Sequence, residues 1–101
     1  MRSNDPSLLV LTSLADGAKH GYAITQDVKA IAGVTLGPGT LYGALARLEE
    51  RGLIEAVVSE NRRRPYRLTG SGAEALREQL TAQERVVAVG LRRLSSARAA
   101  A

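Results

Sequence analysis

The sequence predicts a mainly α fold with one small β-hairpin, closed by a long C-terminal helix. Three observations carry that reading. Apolar residues recur at helical spacing in separate segments near both ends and in the middle of the chain. Pro and Gly stand where helices should start and stop. A short run rich in Ile and Val is followed by an Arg-rich tip and a return segment, the pattern of a hairpin.

The first helix is read from Asn4-Asp5-Pro6, with Asp5 as cap and Pro6 at the first helical position, where a missing N–H costs nothing. Leu8, Val10, Leu11 and Leu14 give its apolar face, and Gly17 ends the segment. The loop Ala18-Lys19-His20-Gly21 leads into a second helix running to about Ala32. Ile24, Val28, Ile31 and Ala32 are expected to form its buried stripe, with Tyr22, Gln26 and Lys29 opposite and Gly33 as terminator. Val34-Thr35-Leu36 is expected to form at most a minor strand. Pro38 then opens a third helix to Arg51, with Leu41, Leu45 and Leu48 facing inward and Gly52 as its left-handed cap.

Leu53 to Ser59 reads as a strand, Glu60-Asn61-Arg62-Arg63-Arg64 as a hairpin tip, and Pro65 to Leu68 as the return strand at an edge. Thr69 caps a long helix from about Ser71 to Ser95, and the tail Ala97–Ala101 is expected to fray. Helix, helix, minor strand, helix, strand, strand, helix is the order of a winged helix-turn-helix. The expected division is a winged domain over residues 1–70 and a C-terminal helix with its tail over residues 71–101.

Composition excludes whole classes of function. The 101 residues include no Cys, Trp or Phe, one His and three Tyr. Without Cys there is no disulfide framework or thiolate metal site, which fits a reducing, cytoplasmic setting. No cofactor is expected. His20 is expected to be a loop or cap residue, and no nucleophile–base pair can be assembled, so an enzyme is not expected. No apolar run is long enough to span a membrane or form a signal-peptide core.

The net charge of +4 is unevenly spread. Residues 1–59 carry five basic and six acidic side chains. Residues 60–67 hold four Arg and one Glu, and residues 68–101 hold five Arg and three Glu. Most of the excess therefore belongs to the hairpin tip, where Arg62, Arg63 and Arg64 could lie along a phosphate backbone or in a narrow minor groove. A charged hairpin that discourages edge-to-edge pairing is the plainer alternative.

On the third helix, the side opposite the leucines presents Gly39, Gly43, Ala46, Arg47 and Glu50, with Thr40 at its border. Small residues would let the helix approach a groove wall, Thr40 could meet a phosphate or base edge, and Arg47 could reach a phosphate or a guanine. Tyr22 and Tyr42 are expected off the buried centres of their helices, while the Tyr66 ring is expected to cover a seam. In the last helix, Ala73, Leu76, Leu80, Gln83, Val87, Gly90 and Leu94 follow a 3-4 spacing with Leu91 beside them. Such a stripe needs a partner, most simply a second copy of the chain, with Leu76, Leu80, Val87, Leu91 and Leu94 as its contacts.

These residues together resemble a known family. His20-Gly21-Tyr22, Gly39-Thr40-Leu41-Tyr42-Gly43-Ala44-Leu45, Arg47-Leu48-Glu49, Gly52-Leu53-Ile54, Arg64 to Thr69 and Gly72 resemble the PadR-like bacterial transcriptional regulators, over roughly residues 8–76. The resemblance implies a winged helix-turn-helix that binds double-stranded operator DNA as a homodimer, usually as a repressor released by a small molecule. It implies DNA contacts at Tyr22, Thr40, Tyr42 and Arg47, with Lys29 and Gly43 on the same surfaces and the Arg cluster as the wing. Some short family members hold planar drugs between Trp residues; that mode is not expected here, because Trp is absent. The expected operator is pseudo-palindromic. The competing expectation is a winged domain that docks another protein without sequence-specific DNA binding.

Overall fold

The computed structural model describes residues 5–58 and 64–100, the last three as helix backbone only. The elements are α1 (Pro6–Leu14), α2 (Gly21–Ala32), α3 (Pro38–Glu50), β1 (Ile54–Ala56), β2 (Tyr66–Leu68) and α4 (Gly70–Ala100). The fold is the mainly helical winged arrangement that the sequence predicts.

α1 is the hub. Leu8, Leu9, Val10, Leu11, Ser13 and Leu14 are all buried, and a helix apolar nearly all round has to be covered on every side. It packs against α2, α3, α4 and β2. Its start is built as expected: Pro6 is the first helical residue, and the Asp5 carboxylate accepts a 2.8 Å hydrogen bond from the Ser7 N–H.

α2 departs from the expected stripe in its last turn. Ile24 and Val28 are fully buried, but Ile31 is 52% exposed and Ala32 is exposed as well. The final turn runs past the core. His20 occupies the N-cap position without a side-chain capping bond, and Gly33 ends the helix at φ 67°.

Val34–Leu36 forms no strand, although Leu36 is buried and Val34 packs on the core. The strand-like partner of the hairpin comes from the α1–α2 loop instead. The Lys19 N–H donates to the Tyr66 carbonyl at 3.0 Å, and the Tyr66 N–H donates back to the Lys19 carbonyl at 2.8 Å. The hairpin is shorter than expected, with Ile54 opposite Leu68, Glu55 opposite Arg67 and Ala56 opposite Tyr66.

α3 buries Leu41, Ala44, Leu45 and Leu48. It closes in a Schellman motif: the Gly52 N–H donates to Glu49, the Leu53 N–H donates to Leu48 at 2.9 Å, and Gly52 adopts φ 74°. That turn delivers buried Leu53 and Ile54 directly into β1.

α4 is rooted against the same turn. Thr69 donates from its backbone N–H to the Leu53 carbonyl at 3.1 Å and from its hydroxyl to the Gly52 carbonyl at 2.6 Å. The same hydroxyl accepts from the Gly72 N–H, as the expected cap should. Beyond the root, α4 is longer than expected: its 31 residues span about 46 Å, and the Ala-rich tail stays helical to Ala100. A compact chain of this length has a radius of gyration near 13 Å. The observed 16.3 Å, with extents of 62 × 26 × 20 Å, reflects α4 projecting from the winged body.

Candidate nucleic-acid interface

The surface in question is built by α3 with the start of α2 beside it. Because Leu41, Ala44, Leu45 and Leu48 commit one side of α3 to the core, helical geometry turns Thr40, Ala46, Arg47 and Glu50 outward, all of them exposed. Gly37 at the N-cap supplies no side-chain hydrogen bond. The first N–H groups of α3 therefore point out uncapped, at the positive end of the helix dipole.

Tyr42 joins α3 to α2. It is 57% exposed, yet its hydroxyl lies over the first residue of α2: a Cβ on Gly21 would stand 3.1 Å from it. Tyr22 is 74% exposed, and its hydroxyl oxygen accepts a 2.9 Å bond from Gln26 one turn further along α2. A phenol can donate as well as accept, which leaves the Tyr22 O–H a donor for another group. Lys29, seven residues after Tyr22, shares its side of α2 and is exposed.

Arg47 lies back along α3, with Nη1 3.4 Å from the point a Gly43 Cβ would occupy. Gly43 is half-buried beneath it. Thr40, Gly43 and Arg47 thus share the outward side of α3, with exposed Tyr42 on the flank that meets Gly21 at the start of α2, next in sequence to Tyr22. A patch of hydroxyls, a guanidinium and free helix N–H groups, shallow and with small residues between, has donors for phosphates and base edges alike.

The wing is only partly described. Arg64 is exposed; Arg62 and Arg63 lie outside the described residues. On the wing's strands, Arg67 is held by Glu55 through a 2.7 Å cross-strand pair. Tyr66 is half-buried against the core, as expected.

One basic side chain near this surface turns inward. The Lys19 ammonium donates to the Ser13 carbonyl and to Asp16, and stands 4.0 Å from Asp27, whose carboxylate also accepts a 2.7 Å bond from the Ser13 hydroxyl. The hydrogen bond from Lys19 first, and its charge second, hold the Asp16 carboxyl below the usual carboxylate range.

On α4, the stripe divides. Leu76 is buried in the core of its own chain, which corrects its expected place in an intermolecular seam. Leu80, Val87, Leu91 and Leu94 are exposed, as is Val86, which the 3-4 spacing did not single out. Where the exposed stripe begins, an open groove of about 330 Å³ lies between Ala15 at the end of α1, Leu68 of β2, and Leu76, Leu80, Thr81 and Glu84 of α4. No described helix is long and apolar enough to cross a membrane.

Sequence reasoning missed the roles of Gly21 and Lys19. A signal for Gly21 existed, since a glycine at the first turn of a helix invites close approach; Lys19 offered none, because its partners come from separate elements.

Known proteins give the arrangement a context. Residues 10–78 match the transcriptional regulator PadR-like family. The chain is 41% identical over 80 residues to a transcriptional regulator of Mycobacterium tuberculosis, covering 76% of this chain and 74% of that protein. It is 46% identical over 86 residues to a 37.1 kDa transposon protein of Streptomyces fradiae, covering 85% of this chain but only 25% of that protein. Among solved structures, it resembles a PadR family transcription regulator from Clostridium difficile with a TM-score of 0.79 at 26% identity, over 88% of this chain and 97% of the other.

Proposed function

This chain belongs to the PadR-like family of transcriptional regulators, and we propose that it acts as a homodimeric, sequence-specific DNA-binding repressor. Family membership makes it a transcriptional regulator rather than an enzyme. The observation that carries the finer reading is the patch on α3, where Thr40, Tyr42 and Arg47 stand exposed around Gly43 with Tyr22 alongside. In this reading α3 enters the major groove, Lys29 and the uncapped start of α3 meet phosphates, and the wing Arg62, Arg63 and Arg64 track the adjoining backbone. Residues 1–70 are the DNA-binding unit and residues 71–101 the dimerisation helix.

The exposed α4 stripe supports dimerisation. Leu80, Val87 and Leu94 recur every seven residues, a seam that water should not be left to cover. An antiparallel pairing centred on Val87 sets Leu80 of one copy against Leu94 of the other. It lays the far end of each α4 over the groove at the root of its partner, and brings Arg92 within about one turn of Glu84 across the seam. A parallel pairing would instead gather Arg92 and Arg93 of both copies at one end. A two-fold dimer favours a pseudo-palindromic operator with half-sites about 34–36 Å apart or a multiple of that. A small-molecule effector would act where α1 and α4 of the two copies meet.

The deciding experiment is a gel shift and footprint on the inverted repeat nearest the promoter of its own or a neighbouring gene, against random duplex at physiological salt. Saturable protection of the repeat supports the reading; equal binding of both duplexes overturns sequence specificity.

A further inference from the structure

We propose that Lys19 is a positioning residue for DNA binding: it fastens the wing to α1 and α2 and so fixes the angle at which the wing and α3 meet a duplex. This rests on the DNA-binding reading above, but the fastening itself belongs to the free protein. The hairpin is short, three residues a side, and a two-stranded ribbon of that length has little stability of its own. Its second strand, β2, lies between β1 and the helical body and is tied to the body through Tyr66, whose N–H and C=O are both taken by the backbone of Lys19 at 2.8 and 3.0 Å. The direction of the wing therefore depends on where residue 19 sits.

Residue 19 lies in the loop between two helices, where backbone position is normally loose. Its ammonium removes that freedom. It donates to the Ser13 carbonyl in the last turn of α1, a group at the negative end of that helix, whose own last turn holds no basic residue. It also binds the Asp16 carboxylate and faces Asp27 of α2 at 4.0 Å, while the Ser13 hydroxyl ties Asp27 back to α1. Four pieces of the fold meet at one residue: its ammonium holds the end of α1, the following loop and the middle of α2, and its backbone holds the wing strand.

The same arrangement separates this role from phosphate contact. The Lys19 side chain is 19% exposed, and two carboxylates compensate its charge. An ammonium so engaged is not available to displace counterions from DNA, so its removal leaves the salt dependence of binding intact.

The test uses the full-length protein and the operator duplex. Lys19→Met is expected to weaken operator binding about tenfold, the scale of one lost charge-assisted hydrogen bond, with an unchanged slope of log affinity against log salt. Arg64→Ala is expected to weaken binding less in the Lys19→Met background than in the wild type, because the wing is already misdirected. A slope reduced by about one unit would make Lys19 a phosphate contact, and unchanged affinity would make it irrelevant; either overturns the proposal. Amide exchange at Tyr66 reads the fastening without DNA, and Asp27→Asn is the second variant should Lys19→Met fail to fold. Either variant should speed Tyr66 exchange while the Leu45 and Leu48 amides of α3 keep their protection; unaltered Tyr66 protection overturns the proposal. If wild-type protein ignores the operator, the DNA-binding reading falls, while Tyr66 exchange still judges the fastening.

Discussion

Gly72 lies so close to Leu53 that a Cβ on it would stand 1.8 Å from the Leu53 carbonyl oxygen and 2.8 Å from the carbonyl carbon. The obstacle is backbone, itself held by the Thr69 N–H and by the capping turn of α3, and it has no rotamer with which to escape. Gly72→Ala must therefore move the root of α4 or the start of β1. The expected loss is about 3 kcal/mol or more, at the upper end of overpacking effects, read as a fall in the denaturation midpoint. A loss under about 0.5 kcal/mol would contradict the geometry.

Arg47 and Arg64 should fail differently. Arg47→Ala is expected to lose about 1–3 kcal/mol on the operator and, where Arg47 reads a base, to relax specificity at one position. Arg64→Ala is expected to weaken operator and random duplex alike and to lower the salt slope by about one unit. Affinity titrations of both duplexes across a salt series separate the two, and identical patterns would refute the division between α3 and wing.

The proposed α4 pairing can be tested by cross-linking, because the chain has no Cys to confuse it. Leu80→Cys and Leu94→Cys proteins should each fail to cross-link alone and should cross-link when mixed, and Val87→Cys should link to itself. Self-linking of both Leu80→Cys and Leu94→Cys would mean a parallel pair. Leu94→Asp is expected to shift sedimentation toward monomer without loss of helicity; a wild-type monomer would remove the dimer altogether.

Asp16 offers a pH signature. Its folded value lies below the ordinary 3.8 because Lys19 bonds and attracts its charged form. Its contribution to stability is thus complete above about pH 4 and drains away as acid carries the pH down through the lowered value. The carboxyl is largely exposed, so the effect on stability is small. NMR titration should give Asp16 a midpoint below 3.8, returning toward 3.8 in Lys19→Met.

The sequence made the helix starts and stops legible because their causes are local. Asp5, Pro6, Pro38, Gly33, Gly52 and Thr69 each act on the backbone within a few residues of themselves. The outward patch on α3 was legible for the same reason, since three leucines fix the phase of the helix. What failed depended on other parts of the chain. Ile31 follows the stripe of α2, but nothing in the stripe says that the helix outruns the core. Leu76 follows the seam of α4, but whether it meets its own body or a second copy depends on where that body ends. The pairing of Lys19 with Tyr66 joins residues far apart in the chain, and neither carries a strand pattern around it. The alanines after Ser96 resemble a loose end, yet alanine's helix propensity suffices to continue a helix already 27 residues long.

The root of α4 also has a mechanical meaning. Thr69 and Gly72 join α4 to the winged body with no spacer, so the helix and the body it grows from turn as one piece. A tilt of about 5° at the root displaces the far end of a rod about 46 Å long by about 4 Å; run in reverse, in the proposed dimer a small change in how two such rods cross would be delivered to α3 as a rotation of the whole head. If the proposed dimer reads paired half-sites, its affinity would then be tuned from a place that never approaches the duplex, with the close approach of Gly72 to Leu53 setting how faithfully the motion is transmitted.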